Sequence, residues 1–194
     1  MIKSGDFRTY LEEHKKREVI FDFDETISTL LADWTDWDKA VVKLFQKYDP
    51  LFPSRKIRAA DENAFTKRFG AALRDELLTT TYEYEQRLVT GHRANSVALT
   101  LIQKAQPVAN LHIWTSNYEP TVRPILKELR LEDSFERIIT RNHVMFLKPH
   151  PDGFYLIFDQ ATPKSAYLLI GDSENDRYAA ENAGIDFLNI SSFA

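Results

Sequence analysis

Cysteine is absent from this 194-residue chain, which removes disulfides, thiolate metal sites and cysteine nucleophiles together. No apolar run approaches the roughly 20 residues of a membrane span. The charged opening MIKSGDFRTYLEEHKKR lacks the apolar core of a secretory signal, so the expectation is a soluble cytoplasmic protein. Positive charge is not in excess either: the formal net charge is −4. No overall basic field favours nucleic acid or a membrane surface as a partner, and a small anionic ligand needs a local positive site. None of the five histidines pairs with another at metal-ligand spacing. No repeat or low-complexity tract breaks the chain.

What is present is 43% hydrophobic residues, enough for one globular domain or a core with a modest insertion. Residues 4–17 read as a short polar helix. In VIFDFD, the residues Val19, Ile20, Phe21 and Phe23 suit a strand buried on both faces, as in a parallel sheet. Four further strands are predicted at residues 109–115, 135–140, 166–171 and 186–190, separated by helical patterns. Alternating strands and helices imply an α/β fold, a Rossmann-like doubly wound parallel sheet.

Residues 29–91 differ, because no strand is evident there. DWTDWDKAVVKLFQKY, with Asp33 as its expected cap, and NAFTKRFGAALRDELL each read as one amphipathic helix. A crossover needs only about a dozen residues, so this excess reads as an all-helical cap inserted between the first and second core strands. The core then comprises residues 1–28 and 92–194. Pro124 inside the helix expected from Glu119 to Leu129 predicts a kink or a later start.

Ligands of open α/β sheets collect at the carboxyl ends of the strands. The first strand ends in Asp22 and Asp24, the second in Thr115, Ser116 and Asn117, and the fourth in Gly171, Asp172, Ser173 and Asp176. Lys148 follows the third strand, in LKPHP. Singly, each has an ordinary reading as a helix cap, a turn or a solvated loop residue. Together they set several carboxylates, a hydroxyl, free amides and one ammonium at one edge. Carboxylates at that density call for a cation, and hard oxygen ligands are what Mg²⁺ prefers. The lysine and helix-start amides make a socket for a phosphate group.

DFDET, WTSN, LKPHP and GDSENDRYAAENAG resemble, in order, the four motifs of the haloacid dehalogenase superfamily. The long interval between the first two resembles members with a helical cap inserted there, the phosphoglycolate phosphatase and β-phosphoglucomutase relatives. The resemblance implies a Mg²⁺-dependent phosphatase acting on a small phosphorylated metabolite. It implies that Asp22 is the nucleophile forming an aspartyl-phosphate and that Asp24 is the general acid and then base. Thr115 and Ser116 would bind the phosphate, and Lys148 would neutralise both the nucleophile and the phosphoryl oxygens. The metal ligands implied are Asp22, Asp172 and the backbone carbonyl of Asp24, with Asp176 supporting the metal waters or orienting the lysine. Glu25 stands where many members have glycine.

Specificity is implied to come from the cap, where Trp34, Trp37, Arg55, Arg58 and, at its border, Arg93 are the candidates. The tryptophans have the competing reading of helix packing, and SRKIR that of a solvated basic face. If those basic residues face the cleft, the substrate carries a second anionic group. A phosphomutase and a non-catalytic phosphate-binding relative stay open as alternatives.

Overall fold

The computed structural model describes residues 2–193. A five-stranded sheet forms the centre, with spatial order β5-β4-β1-β6-β7. Its strands are β1 (Glu18–Phe21), β4 (Asn110–Trp114), β5 (Arg137–Ile139), β6 (Tyr167–Gly171) and β7 (Asp186–Asn189). Neighbouring strands are parallel throughout; Phe21 is registered with Ile113 on one side and Ile170 on the other. Every residue of β1 is buried: Val19, Ile20 and Phe21 form the apolar run of a central strand, and Glu18 is paired with His112 at 2.8 Å.

The pleat divides β1 between two apolar layers. Val19 and Phe21 enter the cluster of Phe7, Leu11, Leu101 and Ile113. Ile20 enters the cluster of Trp114, Phe154, Leu169 and Ala180. Helices α1 (Phe7–Glu13) and α5 (Ser96–Ala105) pack together in the first layer, while α7 (Asp152–Ile157) and α8 (Glu174–Ala183) serve the second. The opening helix is therefore less polar in role than its composition: Phe7 and Leu11, one turn apart, are fully buried and seal the sheet face. Helix α6 (Glu119–Glu128) starts at Glu119 with Pro124 inside it, so the later start that Pro124 predicts does not occur.

Two departures from the sequence expectations concern residues 29–91. Short strands β2 (Ser28–Leu30) and β3 (His92–Ala94) pair antiparallel at its borders, with Thr29 opposite Arg93. Three residues are too few to display an alternating pattern. The stretch NAFTKRFGAALRDELL is two helices, because α3 (Ala59–Phe69) stops at Gly70, where φ is +78°, and α4 (Ala71–Leu88) begins anew. Glycine takes that conformation without steric penalty. With α2 (Thr35–Tyr48), started by the Asp33 carboxylate accepting from the Thr35 amide at 2.9 Å, these helices enclose Val41, Phe45, Phe65, Leu73 and Leu77.

Polar contacts dock this helical unit onto the segment that follows β5. Asn63 exchanges two hydrogen bonds with the Leu147 backbone, at 2.7 and 2.8 Å. Buried Arg74 donates to the carbonyls of Arg141, Val144 and Met145. Among the described residues no helix is long and apolar enough to cross a membrane.

Candidate active site

The carboxyl end of β1 continues the ladder through Asp22, whose amide donates to the Ile170 carbonyl at 2.9 Å. The chain then turns tightly, with the amides of Thr26, Ile27 and Ser28 all directed at the Phe23 carbonyl. Glu25 holds φ at +57°, in the left-handed region that glycine enters freely and other residues enter at a cost. Its carboxylate anchors the turn by accepting from Thr29 Oγ1 at 3.1 Å.

Asp22, Asp24, Thr115, Ser116, Lys148, Asp172 and Asp176 line one cleft of about 310 Å³ at the carboxyl edge of the sheet. Lys148 is buried, with Nζ 2.7 Å from Asp22 Oδ1 and also bonded to Asp176 Oδ1. Asp176 Oδ2 accepts from the amide and hydroxyl of Ser173, whose hydroxyl in turn caps α8. Thr26 donates to Asp172 Oδ1 at 3.3 Å, and Asn189 to the Asp172 carbonyl at 2.9 Å. The Thr115 hydroxyl donates to Asn117 Oδ1 at 2.7 Å and accepts from the Asn117 amide.

The electrostatics separate these carboxyls. Burial, reinforced by the Asp176 charge and opposed by Lys148, pushes Asp22 up to about 7. Burial pushes Asp24 up to about 6 against the hydrogen bonds from Leu30 and Glu25. Asp172 is likewise raised by burial and by Asp176. Asp176 is also pushed upward by burial, but Lys148 and Ser173 outweigh that and hold it low. Burial disfavours the Lys148 charge, yet Asp176 and Asp22 together raise its pKa.

Carboxylate oxygens of Asp22, Asp172 and Asp176 lie within 4.8 Å of one another. An all-oxygen set in which Asp22 and Asp172 are raised suits a hard divalent cation. Both oxygens of Asp176 already engage Lys148 and Ser173, so Asp22 and Asp172 are the carboxylates with lone pairs to offer.

Trp34 and Trp37 also line the cleft, as an edge-to-face pair with centroids 6.3 Å apart. The expected arginines do not. Arg55 makes two 2.7 Å bonds to Asp61, and exposed Arg58 lies 3.5 Å from the same carboxylate. This places both at the α3 start, away from the cleft. Arg93 is exposed on β3. Unexpected members are Glu85, Thr81 and Arg141. Arg141 is buried; it donates to the Ser116 carbonyl at 2.7 Å, to Glu62 at 3.1 Å and to Thr81 at 3.1 Å. It follows β5 at the same sheet edge, but a single arginine after a strand carries no motif.

Residues 19–190 match the haloacid dehalogenase-like hydrolase family. The chain belongs to that family, and its parallel five-stranded α/β sheet is the fold its relatives share. A phosphoglycolate phosphatase of Pectobacterium atrosepticum is 38% identical over 86 residues, covering 44% of this chain and 37% of that protein. One from Photorhabdus laumondii is 32% identical over 103 residues, covering 52% of this chain and 44% of that protein. The chain thus aligns with less than half the length of these curated relatives. A putative phosphoglycolate phosphatase from Lactobacillus plantarum shares the fold with a TM-score of 0.61 at 18% identity, over 90% of this chain and 86% of that one. A putative haloacid dehalogenase-like hydrolase from Bacteroides fragilis does so with a TM-score of 0.60 at 22% identity, over 89% and 86%.

Proposed function

We propose that the protein is a Mg²⁺-dependent phosphatase that hydrolyses a small phosphomonoester through a phosphorylated Asp22, with residues 29–91 acting as a cap over the cleft. The observation carrying this reading is the buried Lys148 ammonium shared by Asp22 and Asp176, beside a second carboxyl, Asp24, raised to about 6. The Asp22 carboxyl, at about 7, lies higher still; Mg²⁺ on Asp22 would lower it and leave an ionised nucleophile next to a protonated acid.

In this mechanism Asp22 attacks phosphorus and Lys148 neutralises the charge gathered on Asp22 and the phosphoryl oxygens. The Thr115 hydroxyl and the Ser116 amide hold those oxygens. Both hydrogen bonds received by Asp24, from the Leu30 amide at 2.8 Å and the Glu25 amide at 3.1 Å, fall on Oδ1, so the proton resides on Oδ2. From there it passes to the departing alcohol. The ionised Asp24 then takes a proton from the water that attacks the phosphorylated Asp22. Mg²⁺, held by Asp22, Asp172 and the Asp24 carbonyl, would supply positive charge to a phosphoryl group rich in negative oxygens.

The test is release of inorganic phosphate from a panel of phosphomonoesters. Release is expected to require Mg²⁺, to stop with chelator and to disappear in Asp22→Asn; full activity in that variant would remove the nucleophile.

A further inference from the structure

We infer that the substrate's leaving group carries no second anionic group: it is an uncharged or cationic alcohol seated against Trp34 and Trp37. This rests on the phosphatase reading, because it assigns the phosphoryl end to the sheet edge formed by Asp22, Thr115, Ser116 and Lys148. The rest of the substrate must then meet the remaining wall of the same cleft, which includes Trp34, Trp37, Thr81, Glu85 and Arg141.

Among the described residues that wall has no free cation with which to hold a carboxylate or second phosphate. Its single guanidinium, Arg141, is already engaged by the Ser116 carbonyl, the Thr81 hydroxyl and both oxygens of Glu62. Glu62 is as buried as Arg141, with 7% of each side chain exposed, so the arginine charge is cancelled where it stands. Glu85 adds another carboxyl, held by the Tyr118 amide at 2.9 Å. Even when protonated it offers an anion no positive charge. The other candidate cations, Arg55, Arg58 and Arg93, lie outside this wall. Burying an unpaired anion here would cost far more than burying a neutral group. An indole face, by contrast, accepts a neutral carbon skeleton or an ammonium group.

Three nearly isosteric esters isolate the charge: phosphoglycolate, 2-hydroxyethyl phosphate and O-phosphoethanolamine. Turnover is measured with the wild-type protein and Mg²⁺, and binding by calorimetry with Asp24→Asn under the same conditions. Phosphoglycolate is expected to be the poorest of the three, by about tenfold or more in kcat/KM and in Kd. In Glu85→Gln that gap narrows to about threefold. Phosphoglycolate binding or reacting as well as the other two overturns the inference while leaving the phosphatase reading intact. Binding in the expected order without turnover of any ester counts against the phosphatase reading and leaves only the charge preference of this wall standing. Failure of all three to bind, or a gap unchanged in Glu85→Gln, overturns the assignment of this wall.

Discussion

Lys148 Nζ lies 2.7 Å from Asp22 Oδ1, and the same ammonium bonds Asp176 on its other side. One buried cation therefore answers two buried carboxylates. Replacing Lys148 with Met leaves both without their partner. Removing one member of a buried ion pair typically destabilises by about 3–5 kcal/mol. The expected outcome is a loss of that order in urea unfolding, with phosphate release falling by roughly 10²–10³-fold. Unchanged stability would place the lysine charge in solvent rather than between the aspartates.

The Asp22 carboxyl gives stability a pH dependence of its own. Its folded pKa, about 7, exceeds the ordinary 3.8, so the protonated form favours folding. The contribution is fully present below pH 3.8 and is lost as pH rises through about 7. Asp24, raised to about 6, acts in the same direction. At about 1.4 kcal/mol per tenfold, the Asp22 rise amounts to on the order of 4 kcal/mol at alkaline pH. In chelator, Asp22→Asn is therefore expected to unfold at higher temperature than the wild type at pH 8, with the advantage shrinking towards pH 4. Parallel melting curves across that range would contradict the shift.

Gly171 ends β6 against the Asp176 side chain. A Cβ built there falls 2.5 Å from Asp176 Cγ and 2.6 Å from its Cβ, closer than carbon atoms approach. Gly171→Ala must displace Asp176, and with it one of the two anchors of Lys148. Overpacking of this kind costs about 1–3 kcal/mol. Both melting temperature and phosphate release are expected to fall; wild-type activity would show that the Asp176–Lys148 contact does not matter to turnover.

Arg141 ties the loop at Ser116 to Glu62 on α3 and Thr81 on α4. Arg141→Met leaves Glu62 buried without its counter-charge, and a loss of about 3–5 kcal/mol is expected. Glu62→Met in addition should restore part of it, since neither charge is then stranded. Equal, additive losses from the two substitutions would deny the coupling.

The sheet was legible because Val19, Ile20 and Phe21 of β1 and the whole of β6 are apolar runs buried on both faces, and burial on both faces leaves few other structures open to such a run. The strand-end rule collected Asp22, Thr115, Lys148 and Asp172 because the topology places all strand ends of a parallel sheet at one edge. It failed where orientation decides. Arg55 and Arg58 of SRKIR turn towards Asp61 in the first turn of the following helix, and no spacing in a loop encodes which way a side chain faces. Arg141 escaped notice because one arginine after a strand forms no motif; its meaning comes from Glu62 and Thr81, far along the chain. The break at Gly70 was hidden by apolar spacing that continues across it, with only one positive φ to separate α3 from α4.

The central claim is a covalent phosphoryl group on Asp22, and trapping it tests that claim most directly. Asp24→Asn, unable to activate water for the second step, is mixed with p-nitrophenyl phosphate and Mg²⁺; this leaving group needs no proton donor. About one equivalent of nitrophenol should appear in a burst, and mass spectrometry of the quenched protein should find one added phosphoryl group on the peptide containing Asp22. A phosphoryl group on any other residue, or steady turnover with no modified protein, would contradict the account.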